Sequence, residues 1–268
     1  MIDPTESNEG PGARWRRRRP FRQRKIPVRY LLPNFFTLLS LCVGVTAIRM
    51  AIEGRYEFAV GLVVAAALLD GIDGRLARVL KAQSRFGAEL DSLADFVNFG
   101  VAPAILVFIW AYEVPVPKAA FSWSLGGVRG FGWLAAVVFA CGMSLRLARF
   151  NSMLDVDKPR WQSNYFTGIP APAGAIVVML PLYLEGIGIG DFRHWPVVVS
   201  LYTLLIAGLL VSTIPTWSGK LVGERISREY VLPILVGAAL LVGLLATYPS
   251  ATLAALTIVY LAMIPLSV

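Results

Sequence analysis

Residues 61–95 read GLVVAAALLDGIDGRLARVLKAQSRFGAELDSLAD. An apolar run ends in two aspartates, Asp70 and Asp73, and beyond a short basic turn Asp91 and Asp95 follow in the next apolar stretch. An ionisable side chain inside a membrane span costs on the order of 2.5–3.5 kcal/mol on insertion scales, so four in adjacent spans need a compensating partner. The spacings are i,i+3 and i,i+4, which put both members of each pair on one helix face. Counted at about 1.5 Å per residue from an outer boundary near Tyr56, Asp70 and Asp73 lie roughly 21 and 25 Å deep, in the inner half of a core about 30 Å thick. Counted the other way from Gly87, Asp91 and Asp95 lie roughly 6 and 12 Å in, so the two pairs meet at one level. Four carboxylates in a poorly solvated pocket repel one another and take up protons unless cations neutralise them. An all-oxygen ligand set selects a hard ion, Mg²⁺ or Mn²⁺. Arg75, Arg78 and Arg85 offer a simpler alternative, in which the acids only staple helices together. Gly71, Gly74 and Ala77 strip bulk from the same turns, either to admit a ligand close to the backbone or to form a small-residue packing face.

The rest of the 268-residue chain extends this reading, with 56% apolar residues and a mean hydropathy of +0.64. Runs of about 20 apolar residues, enough to cross a bilayer, recur from residue 31 onward. The expected fold class is all-α: a polytopic membrane helical bundle of about eight transmembrane helices, over 31–52, 56–80, 87–113, 129–151, 170–188, 195–215, 230–247 and 249–267. Of the 25 Lys and Arg residues, 20 fall on the side of the N-terminus, and only Arg49, Arg55, Lys118, Arg129 and Arg193 fall on the other. Cytoplasmic loops carry the excess of positive charge, so both termini are expected inside. The arginine-rich run at 14–25 precedes the first span and reads as an arm that holds anionic lipid, not as a nucleic-acid site. Cys42 and Cys141 stand among apolar neighbours and read as packing residues without a disulfide framework. His194, the one histidine, is expected in an exposed or interfacial outer loop. Ser218-Gly219-Lys220 lacks the upstream glycine of a phosphate-binding loop.

The run Asp70-Gly-Ile-Asp73-Gly74-Arg-Leu-Ala77-Arg78, followed by Gly87, Asp91 and Asp95 at their spacings, resembles without departure the signature of the CDP-alcohol phosphotransferases. The resemblance implies a six-helix catalytic core, with the last two helices as an addition. It implies two divalent ions held by Asp70, Asp73, Asp91 and Asp95, with Asp95 as general base. It further implies a CDP pocket formed by Asp70, Gly74, Ala77, Arg78 and Gly87, to which Asn34 and Thr37 of the first span are candidate additions, although Asn34 after Pro33 also suits a helix cap. Pro33-Asn34-Phe-Phe-Thr37, Arg146-Leu-Ala-Arg149-Phe-Asn151, Gly168-Ile-Pro-Ala-Pro172-Ala and Val211-Ser-Thr-Ile-Pro215 resemble the bacterial and archaeal members that use L-serine as acceptor.

The activity so implied is transfer of a phosphatidyl group from CDP-diacylglycerol to the serine hydroxyl, within a homodimer in the inner cell membrane whose site faces the cytoplasm. Serine carries a carboxylate, which a planar guanidinium fixes through parallel hydrogen bonds; Arg146, Arg149 and Asn151 are the acceptor-binding candidates. The expected division is a basic arm at 1–30, a catalytic membrane domain at 31–220 and two further helices at 221–268. The same aspartates would serve glycerol 3-phosphate, inositol phosphate or choline as acceptor. Outside the enzymes, a metal-ion transporter uses intramembrane carboxylates too, but no matching broken helices recur in the second half. An inactive lipid-binding scaffold would not require Asp95.

Overall fold

The computed structural model describes residues 31–113, 127–152, 165–212, 215–217 and 228–264. The basic arm at 1–30 and Ser218–Lys220 lie outside them. The chain runs through α1 (Leu31–Ile52), α2 (Tyr56–Val79), α3 (Arg85–Asp95), a π-helical turn (Phe96–Val101), α4 (Ala102–Tyr112) and α5 (Gly127–Ser152). It continues through β1 (Tyr165–Thr167), α6 (Ala171–Val178), α7 (Leu180–Gly186), a 3₁₀ turn (Phe192–His194), α8 (Pro196–Val211), β2 (Pro215–Trp217), α9 (Arg228–Thr247) and α10 (Pro249–Met263). The helices follow the apolar runs to within a few residues. Among the described residues, four segments are long and apolar enough to cross a membrane: Leu31–Ile52, Arg85–Tyr112, Arg129–Ser152 and Tyr230–Thr247. That architecture is a membrane helical bundle.

Two seams hold the aspartates in place. In α1 the buried residues are Pro33, Thr37, Ser40, Gly44, Ala47 and Ala51, alternating four and three residues apart. The matching stripe of α2 is Ala59, Val63, Ala66 and Asp73. Small side chains at this spacing let two helices approach closely, the means by which helices associate without a hydrophobic driving force. Closeness is then locked by a polar thread. Ser40 Oγ donates to the Ala66 carbonyl (2.9 Å), and Asn98 Nδ2 donates to Ser40 Oγ (2.8 Å).

Asn98 sits in the π turn, where the widened backbone between α3 and α4 re-aims the rod directly after Asp95. Such single π turns concentrate at functional sites. Farther along the rod, Leu106 and Trp110 enter the core with Phe139 and Met143 of α5, Tyr183 of α7 and Leu210 of α8.

Some expectations require correction. The span at 170–188 is broken at Met179, because Pro181 lacks an N–H and its ring clashes with the preceding turn. The bundle is all-α as expected, and one short antiparallel pair joins β1 to β2, with Phe166 opposite Thr216. Gly168 makes the turn from β1 into α6 with φ +80°, and a Cβ there would stand 3.0 Å from the Ser212 carbonyl oxygen. Cys42 and Cys141 are free but exposed on their helices, so they do not pack the core. His194 is exposed as expected, with Nδ1 2.7 Å from Asp191 Oδ2. Asn34 lies inside α1 and does not cap it.

Candidate active site

Asp70, Asp91 and Asp95 bring carboxylate oxygens to within 4.8 Å of one another, and Asp70 and Asp95 lie within hydrogen-bonding range. Asp73 stands beside them, only 3% exposed, and interacts electrostatically with Asp70 and Asp91. The helical spacing produces this directly. Asp70 and Asp73 extend the buried stripe of α2 toward its end, and α3 returns antiparallel with Asp91 and Asp95 one turn apart.

Among the described residues, no aspartate of the four takes part in a salt bridge, so Arg75, Arg78 and Arg85 do not staple them. Arg78 instead folds back, its Nε donating to the Gly74 carbonyl (3.0 Å). Asp73 Oδ2 and Asp95 Oδ1 are buried with no hydrogen-bond partner. A buried acceptor left unsatisfied costs about 1–3 kcal/mol, and more when charged. Clustered carboxylates with open lone pairs, grouped without histidine or cysteine among the described residues, fit a hard divalent cation.

A cleft of about 330 Å³ opens onto this group. Asn34, Thr37, Gly74, Ala77, Arg78 and Gly87 line it together with Asp73 and Asp91. All the expected CDP residues therefore converge on one cleft except Asp70, which lies at the carboxylate cluster. The two glycines act differently. A Cβ at Gly74 would meet nothing within 4 Å, so the space over α2 is left open. A Cβ at Gly87 would stand 2.8 Å from Asn34 Oδ1 and 3.1 Å from Ser84 Oγ, so Gly87 lets α3 begin against α1. Gly71 and its surroundings are open as well, which removes the helix-packing role for that residue among the described elements. Ser84 caps α3, its Oγ accepting from the Gly87 N–H (3.0 Å). The cleft thus adjoins a helix N-terminus, whose free N–H groups and dipole favour an anion.

The three acceptor candidates on α5 part company. Arg146 Nε is buried with no hydrogen-bond partner, and its guanidinium interacts electrostatically with Asp95. Arg149 Nη1 donates to the Val211 carbonyl (2.8 Å), closing the end of α8. Asn151 Nδ2 donates to Ser92 Oγ (2.8 Å), tying α5 to α3. Sequence reasoning missed Asn98 and Ser40. An asparagine one turn beyond Asp95 in an apolar span was a visible signal, since intramembrane polar groups seek partners.

Fold and site together define a helical membrane protein whose half-buried four-carboxylate centre opens on an anion-adapted cleft. The family model described as CDP-alcohol phosphatidyltransferase matches residues 30–213, and one described as CDP-alcohol phosphatidyltransferase 2 matches 229–265. The chain belongs to the CDP-alcohol phosphatidyltransferase family. It is 36% identical over 242 residues to the CDP-diacylglycerol--serine O-phosphatidyltransferase of Mycobacterium bovis, covering 89% of this chain and 78% of that protein. The enzyme of the same name from Bacillus subtilis is 32% identical over 185 residues, 68% of this chain and 88% of that protein. The archaetidylserine synthase of Methanothermobacter thermautotrophicus is 31% identical over 165 residues, 61% of this chain and 62% of that protein.

Proposed function

We propose that the protein transfers the phosphatidyl group of CDP-diacylglycerol to the hydroxyl of L-serine, releasing CMP and phosphatidylserine. The carrying observation is the cleft, where the residues expected at the nucleotide meet a group of four carboxylates, two of which, Asp73 and Asp95, have unsatisfied oxygens. Two relatives named CDP-diacylglycerol--serine O-phosphatidyltransferase and one named archaetidylserine synthase favour serine over glycerol 3-phosphate, inositol phosphate or choline.

In this reading the CDP head lies between α1 and the start of α3, with Asn34 and Thr37 on one side and Gly74, Ala77, Arg78 and Gly87 on the other. Asp70, Asp73, Asp91 and Asp95 would hold two divalent ions, Mg²⁺ or Mn²⁺, which supply charge neutralisation on the pyrophosphate when bound. The serine hydroxyl is a weak nucleophile at neutral pH, so a carboxylate must take its proton as the new bond forms. Asp95 takes it. The serine oxygen bonds to the phosphorus bearing diacylglycerol, and the bond from that phosphorus to the bridging oxygen breaks, so the electron pair leaves with CMP. Arg146 receives the serine carboxylate, because its buried Nε lacks an acceptor beside Asp95.

The wider organisation belongs to the same reading. Eight membrane crossings with both termini inside turn the site toward the cytoplasm of the inner membrane, in keeping with the 20 basic residues on that side. The catalytic unit spans 31–220, behind a lipid-holding arm at 1–30 and ahead of the pair at 221–268. Family resemblance favours a homodimer.

Reconstituted protein supplied with CDP-diacylglycerol, Mn²⁺ and labelled serine should release CMP and form phosphatidylserine. Turnover of another acceptor in place of serine would overturn the acceptor, and no CMP from any acceptor would overturn the enzyme. Arg146→Ala should raise the serine KM about 10–100-fold, as loss of a charge-assisted pair implies. Arg149→Ala should leave that KM near wild type and lower thermal stability, since the Val211 carbonyl loses its donor. Gly87→Ala should raise the CDP-diacylglycerol KM about tenfold: overpacking on the order of 1–3 kcal/mol displaces Asn34 from the cleft, and 1.4 kcal/mol is tenfold. A KM equal to wild type would remove the Asn34 contact from the reading.

A further inference from the structure

A line of hydrogen bonds runs from the far side of the bundle to the helix that carries Asp91 and Asp95. α5 packs along α8, and Arg149 Nη1 closes the end of that seam on the Val211 carbonyl (2.8 Å). Two residues on, Asn151 Nδ2 donates across to Ser92 Oγ of α3 (2.8 Å). The Ser92 hydroxyl gives its own proton to the Ala88 carbonyl one turn back (3.0 Å), so its oxygen is left to accept. The amide of Asn151 therefore meets a committed acceptor, and both side chains are half-buried.

Ser92 lies between Asp91 and Asp95 in sequence. At about 100° per residue, these acids stand roughly 60–100° round α3 from it. A bond held at Ser92 acts off the helix axis, so it fixes rotation as well as distance. Rotation needs such a restraint. α3 packs on α1 and on the π turn, but its Phe86 and Leu93 are 70% and 66% exposed. Among the described residues, these large apolar side chains do not key the helix against a neighbour. Ligand geometry is sensitive to the result, since a working constellation of side chains tolerates about 10–20° of misalignment. A tie for stability alone could stand anywhere along the two helices; this one stands one residue from Asp91.

We infer that Asn151 is a positioning residue for the four-carboxylate centre: through Ser92 it sets the rotation of α3, and with it the aim of Asp91 and Asp95 toward Asp70 and Asp73. The reference frame is the α5–α8 seam. This rests on the reading of the four carboxylates as a divalent-ion site. It takes Asn151 out of the acceptor subsite and gives the end of α5 a second part in the reaction, as a strut for the helix that holds the ions.

The test titrates full-length protein in detergent with Mn²⁺, reading the free ion by its electron paramagnetic resonance signal. Turnover with CDP-diacylglycerol and serine is measured beside it at saturating Mn²⁺, in vesicles of phosphatidylglycerol and phosphatidylethanolamine. Wild type, Asn151→Ala, Ser92→Ala, Ser92→Thr and the double alanine variant are compared. Each single alanine variant should raise the Mn²⁺ Kd about 3–10-fold, the factor that one hydrogen bond carries. The double variant should bind no more weakly than the single ones, because all three lose the same bond. Ser92→Thr keeps the hydroxyl and should bind Mn²⁺ as wild type does. The serine KM should stay within twofold of wild type in both alanine variants. Unchanged Mn²⁺ binding in Asn151→Ala, beside binding by wild type, overturns this inference and leaves the ion site standing. No Mn²⁺ binding by wild type overturns the ion reading and this one with it. A serine KM raised in Asn151→Ala but not in Ser92→Ala overturns it too, and returns Asn151 to the acceptor. Additive losses in the double variant, or a Ser92→Thr defect equal to that of Ser92→Ala, also overturn it, since either marks effects that do not pass through the shared bond.

Discussion

Asp95→Asn is expected to lower kcat for serine-dependent CMP release by about 10²–10⁴-fold, the range that a positioned general base supplies. The substitution changes shape little and keeps hydrogen-bonding capacity, but an amide takes no proton from the serine hydroxyl. Two roles have to be separated, because Asp95 is both the expected base and one of three carboxylates within 4.8 Å of each other. If its role were only to hold an ion, saturating Mn²⁺ would restore turnover and the defect would appear as a raised metal requirement. If it is the base, kcat stays low at any Mn²⁺ concentration and the KM for CDP-diacylglycerol changes little. Asp73→Asn is the control. Asp73 lines the nucleotide cleft and lies outside that close trio, so its loss should raise the metal requirement first. Recovery of Asp95→Asn to wild-type kcat at high Mn²⁺ would remove the base assignment.

The aspartates were legible because a buried charge is costly wherever it lies along the chain, and helical spacing converts that cost into a shared face. Depth counted at 1.5 Å per residue brought two pairs to one level, and the structure brings them together there. Six of the seven residues expected at the nucleotide line one cleft, because α1, the end of α2 and the start of α3 meet there.

Features that depend on distant pairing were not legible. Arg146 and Arg149 lie three residues apart at the same end of one helix, and no local property separates them. What separates them is the Val211 carbonyl, 62 positions from Arg149, which occupies one guanidinium, while the other interacts electrostatically with Asp95. The β1–β2 pair, too, joins segments that read from sequence as plain connections. The break at Met179 was within reach, because Pro181 stood in the middle of the expected span.

Gly44→Ala should have a large effect for a single added methyl group. A Cβ at Gly44 would overlap the Asn98 carboxamide oxygen, stand 2.8 Å from its Cγ and 3.3 Å from its Cα. The backbone of the π turn stands in the way as well, so rotation of the side chain alone gives no relief. Overpacking of this kind costs about 1–3 kcal/mol, equivalent to several degrees in Tm at roughly 2–4 °C per kcal/mol for chains of this size. Activity should fall with it. Asn98 follows Asp95 by one turn, so pushing the π turn from α1 moves Asp95 away from Asp70. Asn98→Ala alone loses the bond to Ser40, worth about 0.5–1.5 kcal/mol net, but it also clears the space. The double variant should therefore be more stable than the sum of the single losses, by a coupling on the order of 0.5–3 kcal/mol. Thermal unfolding of the four proteins in one detergent measures it. Strict additivity would mean that Gly44 and Asn98 do not meet, and the polar thread through Ser40 would then not be what sets the distance between α1 and the catalytic rod.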